Sequence, residues 1–338
     1  MNCKSIILLI VVLLFWGNAE ARKKKGKKVE EVQTESAYRK FFKGKACETA
    51  KGMITLHKMD GRVYFEIPLA LMGREMLMGS TISEITNNGF GSVGEKPKGL
   101  LYISFVRCDS VISLKQLTAQ YDTNEENLKQ RIKESTIPAT IKNFKITTYN
   151  EDSTAVVIDM TDYLVSADEA INPFSPWAPI LAGGERVMEK EFRRENSQVV
   201  SIKAFEDNVS VKSSLTYGLS LKNKVMYIFQ REPFTAVMTR SFILLPEHPM
   251  RPRLADPRIA IFSQGVSVFN GDSRGAQARY YAQRWNLEPK DMEQYRKGVL
   301  TEPKKPIVFY VDNTFPENWK KYIKEGVEVW QMRSEERL

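Results

Sequence analysis

Between Gly99 and Leu245 the chain returns, again and again, to short runs rich in β-branched and aromatic residues. Leu100–Val106, Val111–Leu117, Ile141–Tyr149, Ala155–Met160, Val199–Phe205, Val225–Phe229 and Thr235–Leu245 are each bounded by turn residues. The clearest run sets Val209, Val211, Leu215 and Tyr217 against Ser210, Lys212, Ser214 and Thr216. Side chains of a strand alternate between faces, so this is a strand with one face in a core and one half exposed. Many such runs at this spacing predict a largely antiparallel sheet or a sandwich. A helix is expected to interrupt them where Thr123 and Glu126 have the capping-box spacing ahead of Leu128 and Ile132. Residues 166–186 carry three prolines and two glycines and read as a long surface loop.

Ahead of this region lies a smaller one. Tyr38, Phe41 and Phe42 give 36–50 a weak helical pattern, and Asp60-Gly61 between Met53–Leu56 and Arg62–Ile67 signals a hairpin. Pro68–Met72 reads as a helical turn closed by Gly73, Glu75–Ile85 as a strand, and the Gly-rich tract 87–94 as a loop and a boundary. Domains are therefore expected at 36–88, small and α+β, and at 95–300, β-rich.

Residues 303–338 are of another kind. The apolar run Ile307–Val311 reads as a strand buried on both faces. After the turn at 312–314, Pro316 suits a first helical position and Thr314 with Glu317 repeats the capping-box spacing. Trp319, Tyr322, Ile323, Gly326, Val327 and Trp330 then recur at steps of three or four, with Lys320, Lys321, Lys324 and Glu325 on the other face. That is an amphipathic helix. A strand feeding a helix opens an α/β unit, and the expectation is a unit cut short, with the sequence ending eight residues beyond Trp330.

At the start, Lys4 precedes an apolar run from Ile6 to Trp16, and Ala19-Glu20-Ala21 has the small-x-small form of a signal-peptidase site. The run is too short for a bilayer core that needs about 20 residues. Residues 1–21 are thus expected to be a signal peptide cleaved after Ala21, with the mature chain secreted or periplasmic and without a stable membrane span. Residues 22–35 form a basic linker. Arg22–Lys28 holds six of the charges behind the net +9 and contains no aromatic residue. Nucleic-acid binders spread charge over a folded face with aromatics interleaved, so no nucleic-acid partner is expected.

Candidate chemistry is sparse. A zinc hydrolase site takes at least three protein ligands, while the chain has two histidines, His57 and His248, and no H-E-x-x-H. Both read as structural or surface residues. Gly271-Asp272-Ser273-Arg274-Gly275 matches G-x-S-x-G, yet no histidine follows it and its flanks, Ile259–Phe269 and Ala276–Trp285, read as strands rather than a strand–helix elbow. With Cys3 removed, Cys47 and Cys108 remain; a disulfide is allowed, and buried thiols are the commoner arrangement. In 246–261, Pro249, Pro252 and Pro257 favour extended backbone, and Arg251, Arg253 and Arg258 alternate around Asp256. The segment is either a rigid surface connection with local ion pairs or an extended strip laid along another domain.

The stretches 38–83, 199–217, 242–262 and 280–330, the last including YYAQRWNLEP and EPKKPIVFYVDNTFPENWKKYIKEGVEVW, resemble the N-terminal half of large secreted bacterial zinc-dependent metalloproteases. Met250–Arg258 is the most specific part of the likeness. In such proteins two domains of unknown function precede a metzincin-like catalytic domain. The resemblance implies an α+β chain ending in a βα stub of that domain, with no zinc ligand, catalytic residue or cofactor of its own. It implies a non-catalytic accessory or pro-domain-like role, with a metalloprotease catalytic domain in trans as partner. Arg251, Arg253, Asp256, Arg258, Trp319 and Trp330 are the expected domain-interface residues. A secreted peptide- or glycan-binding module and one half of a split metallopeptidase are the alternatives.

Overall fold

Strand pairing dominates the molecule because nearly every apolar run finds a neighbour of the same kind. The computed structural model describes residues 35–118, 121–123, 125–182, 185–271, 275–313 and 315–335, and the elements below lie in the compact unit 37–338. Helix α1 (Ala37–Phe42) leads into β1 (Cys47–Ala50), β2 (Thr55–Met59), β3 (Arg62–Pro68) and β4 (Met76–Ile85). Then come β5 (Leu101–Cys108), β6 (Val111–Gln116), β7 (Tyr121–Asp122), α2 (Glu126–Ser135), β8 (Ala139–Tyr149), β9 (Ala155–Asp159) and α3 (Thr161–Leu164). Three long strands follow, β10 (Val187–Ala204), β11 (Asn208–Lys222) and β12 (Tyr227–Leu244). The hairpin β13 (Ser263–Val268) and β14 (Gln277–Ala282), then α4 (Met292–Arg296) and α5 (Glu317–Glu335), complete the order.

Eleven strands form one antiparallel sheet in the order β1-β2-β3-β9-β8-β6-β5-β4-β12-β11-β10. Strands twist, and a sheet this wide curls. Here it curls until β10 meets β1, β2 and β3. Met53 N donates to Phe205 O at 2.7 Å and Lys58 Nζ to Val200 O at 2.6 Å across this seam. The expected sheet is therefore present as one curled sheet rather than a two-sheet sandwich. A single apolar core fills its concave side, with Ile54, Leu56 and Phe65 in the same cluster as Phe105, Ile158, Ile202, Val211 and Phe242. The stretches 36–88 and 95–300, expected as separate domains, share this sheet: β4 pairs with β5 and β12, and β3 with β9. A second, three-stranded sheet has the order β14-β13-β7.

Several local expectations hold. Asp60 and Gly61 both adopt positive φ, 52° and 72°, the requirement of a two-residue type I′ turn, and Met59 pairs with Arg62 across it. Leu69–Leu71 makes a helical turn, followed by Gly73 at φ 77°. The flanks of Gly271–Gly275 form the hairpin β13–β14 as expected; Ser273 itself lies outside the described residues, as does Thr314.

Others are corrected. The 166–186 segment is a surface loop only in part: 167–169, 176–177 and 185–186 are exposed, while 171–175 and Ala178 are buried, with the Phe174 ring 4.9 Å from Tyr217, edge-on, and 5.4 Å from Phe234. It plugs the core, an arrangement that Pro and Gly content cannot reveal. The helix at 126 starts after Glu125, without the Thr123–Glu126 box: the Thr123 hydroxyl accepts from Glu125 N, and the Glu125 carboxylate accepts from Gly271 N at 2.6 Å. Strand β10 opens twelve residues before the apolar run at Val199, because its first half is an exposed ribbon held by the backbone ladder to β11. Ile307–Val311 forms no regular element and pairs with no strand among the described residues, and its side chains are exposed, Tyr310 at 92%. An apolar run becomes a buried strand only when a neighbouring edge accepts it.

Candidate functional site

The residues expected to form an interface fall in two places. Arg251, Arg253, Asp256 and Arg258 lie on an extended strip beside β14. Ala255 N donates to Tyr280 O and Ala282 N to Arg253 O, both at 2.8 Å, and the Arg284 guanidinium donates to Arg251 O at 2.7 Å. Pro249 and Pro252 precede the paired backbone, Pro257 and Arg258 occupy a turn closed by Ile259 N donating to Asp256 O at 2.9 Å, and the partner edge is in the same chain. Arg258 grips Asp256 in a two-pronged pair, Nη2 to Oδ2 at 2.6 Å and Nε to Oδ1 at 2.9 Å, which holds the Asp256 carboxyl below its usual range. The strip pairs with β14 of its own chain and carries a local ion pair.

Trp319 and Trp330 sit on α5. Its polar face carries the pairs Lys320–Glu317, Lys321–Glu325 and Lys324–Glu328, as helical spacing allows. Its apolar stripe is open to solvent: Trp319 is 58% exposed, Tyr322 63% and Trp330 71%. Together with Ile307–Val311 and Phe315, this is a concentrated exposed apolar surface within a stretch of about two dozen residues.

The histidines are placed as their sequence surroundings suggest. His57 on β2 is buried; its Nε2 lies 2.9 Å from Glu66 Oε2 and its Nδ1 3.0 Å from Thr49 Oγ1. Tyr38 OH donates to the same Glu66 oxygen at 2.7 Å. The His57 bond, with help from Tyr38, holds the Glu66 carboxyl below its ordinary value despite partial burial, while burial and Glu66 push the Tyr38 phenol upward. His248 is exposed in a proline-flanked loop. Among the described residues, no three His, Cys, Asp or Glu side chains converge to hold a metal ion. Cys47 is half-buried and Cys108 exposed, both free thiols, so the expected burial fails at Cys108.

A second cluster went unread in the sequence. On the inner face of β12, Phe234, Ala236, Met238 and Phe242 alternate with a fully buried Arg240. Arg240 Nη2 donates to Ile171 O of the plug at 3.1 Å, while Nε and Nη1 reach no acceptor among the described residues. The hydroxyls of Tyr163, Tyr217 and Ser213, all buried, likewise have no partner among the described residues. The guanidinium acts electrostatically on both phenols, and burial drives both phenols upward, which keeps them neutral. Burial pushes Arg240 itself down to about 10, which leaves it charged at neutral pH. The signal is an arginine at an inward register position on an otherwise apolar strand face.

Fold and site together define a strand-rich protein with one large antiparallel sheet, an exposed apolar helix and a buried cationic cluster. A family model described as "Domain of unknown function (DUF5117)" matches residues 95–290, more than half the chain, and a second, "Domain of unknown function (DUF5118)", matches 35–85. The chain belongs to the DUF5117 family. No curated protein and no solved structure matches it. Among the described residues no helix is long and apolar enough to cross a membrane.

Proposed function

We propose that the chain is a non-catalytic accessory module, secreted or periplasmic, which binds the metzincin-like catalytic domain of a zinc-dependent metalloprotease in trans and orients or masks it. The observation that carries this reading is the uncovered apolar surface formed by Ile307–Val311 and α5. Exposed apolar side chains gathered in one stretch of chain mark an interaction site, and an amphipathic helix preceded by an unpaired segment offers a partner both a stripe to cover and a backbone to pair with. Among the described residues no three His, Cys, Asp or Glu side chains converge; His57 is engaged by Thr49 and Glu66, and His248 stands in a loop whose Glu247 is paired with Arg74. In this reading zinc and hydrolysis belong to the partner, and the sheet serves as the scaffold that carries the docking elements.

The test is titration calorimetry of the purified chain against a separately purified metzincin-like catalytic domain from a protease carrying the same two N-terminal domains, with casein cleavage assayed alongside. Saturable binding is expected, weakened at least about tenfold by Trp319→Ala with Trp330→Ala, because buried aromatic anchors carry most interface energy. The chain alone with added zinc should leave casein intact. Zinc-dependent cleavage by the chain alone, or binding indifferent to both tryptophans, would overturn the proposal.

A further inference from the structure

The buried Arg240 cluster raises a question of charge. A guanidinium offers five N–H donors and cannot accept. In this core the bond from Nη2 to Ile171 O satisfies only part of that capacity, and Nε and Nη1 have no acceptor among the described residues. An unpaired buried cation costs several kcal/mol, so buried charges are as a rule paired or neutralised. The carboxylates that act on the two phenols are taken up elsewhere. Glu169 is held by Lys190 at 3.1 Å and Lys98 at 3.5 Å, and Asp168 Oδ1 accepts from Ala170 N at 2.9 Å. Neither forms an ion pair with Arg240. Tyr163 and Tyr217 stay protonated and add two more donors beside the cation, and the Ser213 hydroxyl faces the same interior from β11.

We propose that Arg240, Tyr163 and Tyr217 form an internal anion site that binds one small monoanion, the size of acetate or a halide. The single positive charge sets a single negative one. A water molecule can accept these hydrogen bonds but cannot neutralise the guanidinium in a low-dielectric core. Size follows from the enclosure. Ile171 and Phe174 of the plug are 0% and 3% exposed, Phe174 and Phe144 pack edge-on to Tyr217 and Tyr163, and Met238 and Phe234 close the sheet side. A long-chain acid has no path for its tail without displacing the plug. The bound ion would tie the plug to β12, giving the 166–182 segment an electrostatic anchor in addition to its apolar one.

The experiment is thermal melting of the full chain in sodium acetate from 1 to 100 mM, with sodium gluconate keeping ionic strength constant and serving as the anion too large to enter. Acetate is expected to raise Tm by about 2–4 °C across that range, as ligand linkage predicts for millimolar binding in a chain of this size. Arg240→Met, which keeps the volume and removes the charge, should abolish the dependence. Tyr163→Phe with Tyr217→Phe should at least halve it and covers the case in which Arg240→Met fails to fold. Crystals grown in sodium bromide should show an anomalous peak within hydrogen-bond reach of Arg240. A melting temperature insensitive to acetate, an equal shift in Arg240→Met, density for waters only beside Arg240, or sodium dodecanoate acting at tenfold lower concentration than acetate would each overturn it.

Discussion

Glu66 shows how a single half-buried carboxylate can tie neighbouring elements together. Being ionised it can only accept, so His57 donates to it from Nε2, while the His57 Nδ1 shares a hydrogen bond with the Thr49 hydroxyl. Tyr38 adds a second donor from α1, and the group thereby links α1, β1, β2 and β3. A carboxyl whose folded value is depressed contributes stability above its unfolded value, and that contribution disappears as pH falls through the folded one. Glu66→Gln should therefore destabilise the chain by about 1–3 kcal/mol near pH 7, the scale of hydrogen bonds to a charged group. Urea melts should show the gap between wild type and variant narrowing below the ordinary carboxylate range, near pH 4. A constant gap from pH 7 to pH 3 would mean that the charge on Glu66 plays no part. The histidine's structural character was legible because it stood mid-strand without further ligands nearby in sequence. Its glutamate and tyrosine partners were not, since pairing across β2–β3 and packing of α1 are tertiary facts.

At the scale of elements, legibility tracks how local the determining chemistry is. The Asp60-Gly61 hairpin could be read because the turn type is decided by two residues. The 166–186 segment could not, because its burial depends on the concave face of strands made elsewhere in the chain. Phe174→Ala tests that corrected placement: removing a ring packed against Tyr217 and Phe234 should cost about 3–5 kcal/mol, whereas an exposed loop residue would cost almost nothing. Gly52 makes a similar point at the seam. A Cβ there would stand 2.4 Å from Phe205 O and 2.5 Å from Phe205 N, both backbone atoms that cannot swing aside. Gly52→Ala should therefore force β10 away from the β1–β2 turn, and hydrogen exchange at Met53 N, which donates to Phe205 O, should speed up more than at Leu56 within β2. Exchange unchanged at Met53 would show the seam to be slack enough to absorb a methyl group.

For the whole molecule, the contrast is between a sheet that has satisfied nearly all its apolar runs and a C-terminal stretch that has satisfied none. Ile307–Val311 reads as a buried strand by every local criterion, and Trp319, Tyr322 and Trp330 are spaced to face a core, yet all are in solvent. Periodicity reports what an element can bury, not whether a surface exists to receive it. Hydrophobic area left in water is a driving force for association. Without a partner, the purified chain should self-associate at micromolar concentrations, and sedimentation velocity should show the larger species receding when Trp319 and Trp330 are both replaced by alanine. The two substitutions lie on a helix with no buried residue among its described side chains, so thermal stability of the sheet should move by less than about 0.5 kcal/mol. A double variant that associates as strongly as wild type would shift attention to exposed apolar residues elsewhere, such as Trp177, Val225, Met226 and Phe262, and away from α5 as the docking surface.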